Sequence, residues 1–334
     1  MMDYTMFQKV VKMQIRDYLP ESFKDAEVEI KSVTKVNKVK DSLIIRVDDE
    51  RVVPNFYLDD LYENYKETQD LEAVLHSVAD AYVKHLENGR EMKIPEFTKE
   101  FISENVVMAM INTQSNREML AGIPHRDIND CSIVYRVMVD KSGDGIATAV
   151  VGNDMAESVG LTEEELFLAA TENTKRLLPV KIQSMNEIMM GMMMAEGMPK
   201  EIAEEMFSSM SPQDAPTMWI ITNDRGVNGA VNMLYDENLQ HLAKELKDDL
   251  YILPSSIHEV ICIPASMGDP KVLAEMVQEV NATVVSLEER LSNQVYHYDK
   301  DLRKLTMATD SPNRGIDSMV AEQPLIYEAK EQMR

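Results

Sequence analysis

"SIVYRVMVDKSGDGIATAVV", residues 132–151, decides how the rest of the chain is read. Two runs rich in β-branched residues flank a Gly-Asp-Gly turn, which is the pattern of an antiparallel hairpin. A hairpin in mid-chain argues against a strictly alternating strand–helix order, the order that a parallel sheet requires. Later segments do alternate. "TMWIITN" reads as a strand, and "ENLQHLAKELKDD" as a helix with Leu239, Leu242, Ala243 and Leu246 on one face. "IHEVICIP" reads as a strand, and "DPKVLAEMVQEVN" as a helix capped by Asp269 with Pro270 in first position. The expectation is an α+β protein with a mixed or mainly antiparallel sheet, packed helices and a Met-rich helical hairpin.

Upstream, Phe7, Val10, Val11, Ile15 and Tyr18 recur at helical spacing. "AEVEIKSV" and "SLIIRV" alternate as strands, with "NKVKD" between them as a turn. "LEAVLHSVADAYVKHLE" carries Leu71, Val74, Leu75, Val78 and Tyr82 on one helical face. "NVVMAMIN" reads as a strand. "GLTEEELFLAATENTKRLLP" opens with a capping box, Thr162 with Glu165, and ends at Pro179. "NQVYHYDKDLRKLTMA" closes the series as a hairpin or strand. The expected organisation is an α+β unit over 1–95, a main α+β domain over 96–309 that includes Met-rich helices at 181–210, and a flexible tail over 310–334.

Composition narrows the function classes. Acidic residues outnumber basic ones, 58 to 34, for a formal net charge of −24. With no dense basic run, most of this surface repels a phosphate backbone, so no nucleic-acid partner is expected. Cys131 and Cys262 sit in apolar stretches, which suits a reducing cytoplasm better than a disulfide framework. The first residues lack the uninterrupted apolar core of a signal peptide, and no apolar run reaches the length of a membrane span. No feature fixes an oligomeric state.

The polar candidates each have a structural and a functional reading. His258 and Glu259 stand at the mouth of "IHEVICIP", with Ser255 and Ser256 just before them. On a strand the two point to opposite faces, and the zinc pattern His-Glu-x-x-His is absent. A strand entering a core gives the same pattern as a site at the strand mouth. His125, Arg126 and Asp127 follow Pro124 in what reads as a turn or short connector. Arg126 is suited to a bidentate carboxylate, internal or on a ligand, and His125 with Asp127 to acid–base work. Asn173 and Thr174 lie in a helix with apolar neighbours, where an anchoring role outweighs chemistry. Asn223, Asp224, Gly226 and Gly229 form a turn without the pattern of a phosphate loop, so no nucleotide and no other cofactor is implied.

The last candidate is "SMNEIMMGMMMAEGMPKEIAEEMFSSM". Ile182, Met185, Met189, Met192 and Met193 fall on one helical face, Ile202, Met206 and Met210 on another, and Gly197 with Pro199 divides two helices. Methionine is flexible and polarizable, and it suits surfaces that accept varied apolar partners. The same residues also suit a hairpin packed onto a sheet.

Five blocks carry a resemblance: "VVPNFYLDDLYENY", "NREMLAGIPHRDINDCSIVYRVMV", "AATENTKRLLP", "ITNDRGVNGAVNMLYDENLQHLAKELKDDLYILPSSIHEVICIP" and "LSNQVYHYDKDLRKL". In order and spacing they resemble an uncharacterised bacterial family known as domain of unknown function 5688, over about residues 28–307. The turn "NKVKD" departs from the Asn-Asn-Gly type associated with the family. The resemblance implies no activity and no cofactor. The leading expectation is a cytoplasmic binding or adaptor protein that captures apolar peptide or protein segments through Met189, Met192, Met193 and Met206. The alternative is a hydrolase with His125 and His258 as acid–base residues.

Overall fold

The computed structural model describes residues 1–47, 53–89, 95–140, 146–210 and 217–309. The chain divides into two units, Met1–Pro95 and Glu96–Arg334.

In the first unit, α1 (Tyr4–Tyr18) begins at Asp3, whose side chain accepts the Met6 N–H at 2.8 Å. It buries Phe7, Val11 and Ile15, residues four apart on one face. It ends at Leu19, which precedes Pro20 and is therefore extended. Strands β1 (Glu27–Lys35), β2 (Lys38–Arg46) and β3 (Asn55–Tyr57) form an antiparallel sheet in that order. The β1–β2 turn is Val36–Asn37, not residues 37–41 as the sequence suggested, because Lys35 pairs with Lys38. Asn37 takes φ +60°, a left-handed conformation that asparagine tolerates, and this frees residues 38–41 to extend the ladder. Helices α2 (Leu58–Thr68) and α3 (Leu71–Gly89) complete the unit. Leu43 and Ile45 from β2 join Phe7, Ile15, Leu75 and Tyr82 in its core.

The second unit opens with α4 (Lys99–Asn105), β4 (Val106–Asn112), α5 (Arg117–Leu120), β5 (His125–Ile128), β6 (Cys131–Asp140) and β7 (Ala147–Val150). Every pairing among these strands is antiparallel. The ten-residue β6 has β4 along one edge, while β5 and then β7 share the other edge. The Gly-Asp-Gly turn between β6 and β7 lies outside the described residues. Next come α6 (Asn153–Val159), α7 (Glu163–Leu177), β8 (Val180–Ser184), α8 (Met185–Ala195), α9 (Lys200–Met210), β9 (Trp219–Asn223) and α10 (Asp236–Leu246). The described chain closes with β10 (Leu250–Leu253), β11 (Val260–Pro264), α11 (Pro270–Thr283), β12 (Tyr296–Asp299) and β13 (Lys304–Met307). A six-stranded sheet runs β13-β12-β10-β11-β9-β8, also antiparallel throughout. The protein is therefore α+β with antiparallel sheets. One core joins both sheets of this unit: Met108, Tyr135, Ile221, Leu242, Ile252 and Tyr296 all belong to it. Among the described residues no helix is long and apolar enough to cross a membrane.

Strand β4 ends its sheet, yet Val106 to Ile111 are all buried, so its unpaired backbone needs partners that are not strands. Helix α7 supplies one. The Thr174 hydroxyl accepts the Met108 N–H at 2.9 Å and donates to Ala170 O at 2.7 Å. Beside it, Asn173 donates to Ser103 O at 2.8 Å and accepts from Arg176 at 2.7 Å. Thr174→Val keeps the shape but strands the Met108 N–H, so it should cost about 1–3 kcal/mol. Chemical denaturation measures this, and an unchanged midpoint would show that water or a neighbour replaces the hydroxyl.

The Thr162–Glu165 capping box forms as the sequence indicated. The Glu165 carboxyl is held well below its ordinary 4.5, at about 2, first by the Thr162 backbone N–H, then by Lys99 and the Thr162 hydroxyl. Because the folded value is the lower one, the stabilisation is present above the ordinary value and is lost as pH falls toward about 2. Glu165→Gln should melt below the parent at neutral pH, with the gap closing at about pH 2. A gap independent of pH would show that the charge adds nothing to the cap.

Candidate functional site

The methionine hairpin grows directly out of the edge of the six-stranded sheet. Residues 180–184 are strand, so Ile182 pairs with Ile221 instead of lying on a helix with Met185. Ser184 ends β8 and caps α8. Its hydroxyl accepts the Glu187 N–H at 3.2 Å, and the Glu187 carboxylate accepts the Ser184 N–H at 2.7 Å. The helix stops in a Schellman arrangement: Gly197 at φ +93° donates to Met194 O and Met198 donates to Met193 O, each at 3.0 Å. Pro199 then accepts the Ile202 and Ala203 N–H groups to start α9.

Helix α8 buries none of its eleven residues, although six are methionine and one is isoleucine. Met192 is 63% exposed and Met189 38%. Met193 is half-buried, Met206 and Ile202 on α9 are exposed, and Ala203 is buried. The described residues thus leave an apolar face open on the hairpin. Protein surfaces seldom concentrate such large apolar side chains without a use for them.

His258 lies in the loop between β10 and β11, two residues ahead of the strand that the sequence placed around it. Its ring Nδ1 accepts the Asn228 N–H at 3.2 Å, so the neutral ring carries its proton on Nε2, which lies 3.6 Å from Glu289 Oε1. Its backbone N–H donates to Ser256 Oγ at 3.0 Å, and its carbonyl accepts from Thr222 Oγ1 at 2.8 Å. Ser256 is buried, and the Ser255 backbone carbonyl accepts the Leu291 N–H at 2.9 Å. Asn223 shapes the facing turn, donating to Val227 O at 2.7 Å and accepting the Arg225 N–H at 3.0 Å. Glu259 follows, half-buried. The imidazole here ties two loops together and has no lone pair left for general-base work. His258→Ala should therefore cost about 1 kcal/mol of stability. A thermal melt checks this, and an unchanged melt would show that the ring is not needed to hold the loops.

His125, Arg126 and Asp127 are not a connector. They form β5, laid antiparallel on β6. His125 and Asp127 share a face: His125 Nδ1 donates to Ile123 O at 2.9 Å, and Nε2 lies 3.9 Å from Asp127 Oδ1. Asp127 also accepts from the buried Ser132 hydroxyl at 2.6 Å. Arg126 faces the other way, into a carboxylate pair that the sequence did not indicate. It reaches Glu163 at 3.1 and 2.9 Å and Glu164 at 2.5 Å, over the Phe167 ring at 3.8 Å. The Tyr135 hydroxyl also donates to Glu163, and burial pushes that phenol above its ordinary value. Among the described residues, no hydrogen bond or ion pair joins His125 to His258.

Two further polar centres were not legible in sequence. Asp130 accepts from Ser292 Oγ at 2.6 Å and from the Tyr296 hydroxyl. Asp236, 2% exposed, accepts from the Tyr298 hydroxyl at 2.6 Å and is paired with Arg303. Each joins residues far apart in the chain, and no local pattern marks such pairs. Among the described residues no group of three or more His, Cys, Asp or Glu is placed to hold a metal ion. Cys262 is fully buried and burial pushes its thiol up, so it offers no thiolate.

The sequence model of a family of unknown function, DUF5688, matches residues 4–300, and the chain belongs to that family. Neither the search of curated proteins nor that of solved structures gave a match.

Proposed function

We propose that the protein is a binding or adaptor protein that captures apolar segments of a peptide or protein on its methionine hairpin. The observation that carries this reading is α8, an eleven-residue helix with six methionines and no buried residue. Unbranched thioether side chains can repack around different apolar surfaces at little cost, which suits capture better than a rigid branched face. The histidines support it indirectly, since His258 Nδ1 is occupied by the Asn228 N–H and, among the described residues, no hydrogen bond or ion pair joins His125 to His258.

The test is the double variant Met189→Gln, Met192→Gln in the full chain. Glutamine keeps the length of methionine and removes its apolar character. Tagged protein drawn from cells that make it should bring down a stoichiometric partner that the variant loses. The variant's Tm should stay within about 2 °C of the parent, since surface substitutions cost little. A Tm drop of about 6 °C or more would mark these methionines as core and end the reading.

A further inference from the structure

We propose that the hairpin's partner is a basic amphipathic helix, a proposal that rests on the capture reading above. The apolar face comes with a mainly acidic rim. Residues 185–210 hold five glutamates against one lysine. Glu187 is committed to the cap of α8, but Glu196, Glu201 and Glu205 are exposed beside Met192, Met194, Ile202 and Met206. An apolar stripe flanked by carboxylates complements a helix with leucine-like residues on one face and Lys or Arg along its borders. The long stems of those basic residues lie over apolar surface while their charged ends reach the rim. Helix α8, at eleven residues, spans about 16 Å, enough for about three turns of such a partner.

The same charge disfavours a second copy of this chain on the face. Each copy carries −24, and the two acidic rims would face one another. The segment 310–334 is a poor occupant for the same reason, with two aspartates and three glutamates at 310, 317, 322, 328 and 331 against three basic residues.

The experiment uses two synthetic peptides of about 18 residues with identical apolar positions, one with Lys and one with Glu on the polar face, plus a scrambled Leu–Lys peptide of the same composition. Binding to the full chain is read by fluorescence of the sole tryptophan, Trp219, whose backbone pairs with Ser184 at the root of α8. The Leu–Lys helix should bind at least about tenfold more tightly than the Leu–Glu helix or the scramble, and less tightly as salt rises. Met189→Gln, Met192→Gln should weaken it about tenfold, and Glu196→Lys, Glu201→Lys, Glu205→Lys should move the preference toward the Leu–Glu helix.

If both helices bind equally and the methionine variant loses both, the charge inference is wrong and capture stands. If neither helix binds, or if the methionine variant binds as the parent does, capture and the inference fail together. Sedimentation of the parent as a dimer that Met189→Gln, Met192→Gln dissolves would make a second copy the occupant and overturn the inference.

Discussion

Gly229→Ala is expected to lower the stability of the second unit by about 3 kcal/mol or more. A Cβ at this position would lie 2.5 Å from His258 O and 2.9 Å from Asn223 N, and against the Thr222 hydroxyl. Two of these atoms are backbone and cannot swing away. The segment around it, Gly229–Leu234, is a two-turn 3₁₀ helix in which every residue is buried. Asn232 ties it down further, donating to Thr222 O and Gly229 O at 3.1 Å each. The expected shift is a Tm lower by about 6–12 °C for a unit of this size. A change worth less than about 1 kcal/mol would show that the two loops yield, and that His258 is not held by this packing.

The second large effect centres on Asp236. Arg303→Ala removes the cation from a carboxylate that is 2% exposed, leaving it the Tyr298 hydroxyl. Stranding a buried charge costs about 3–5 kcal/mol, and the lower end applies because the Arg303 side chain is itself 53% exposed. The double variant Asp236→Asn, Arg303→Ala should recover part of the loss, since a neutral amide tolerates the site better than an unpaired carboxylate. A double-variant loss equal to the sum of the Asp236→Asn and Arg303→Ala losses would show that the two side chains are not coupled.

What was legible in the sequence was mostly local. Thr162 with Glu165, and Asp269 before Pro270, state their helix starts within four residues, and both caps form. The β6–β7 pairing follows from two β-rich runs in tandem. The register of the first hairpin escaped because Asn37 closes a shorter turn than its charged neighbours suggested. Strand β5 escaped because "HRDI" has no apolar alternation of its own. It is a strand because β6 offers an edge, with His125 opposite Val134. Ile182 has the spacing of the following helix but belongs to β8, since Ser184 and Glu187 start the helix after it.

The candidate site divides in the same way. The hairpin's methionines and its dividing Gly197 could be named from the sequence. Whether they face a sheet or solvent could not, because periodicity is the same in either case and depends on what packs above. Asn173 and Thr174 looked like polar residues in an apolar helix, and their purpose appears only with β4 placed beside them. Arg126 with Glu163, 37 residues away, is a tertiary pair that neither stretch announces.

An open, apolar capture surface on the hairpin of the native protein leaves its thioethers within reach of an oxidant. Brief oxidation of the full chain with dilute peroxide, read residue by residue by mass spectrometry, tests that directly, because oxidation of a thioether follows its exposure. Within the hairpin the expected order is Met192 and Met194 before Met189 and Met206, with the buried Met108, Met110 and Met233 slower than all four and the Leu–Lys helix slowing the hairpin methionines alone. Hairpin methionines that oxidise as slowly as Met108, or at rates the peptide leaves unchanged, would contradict it.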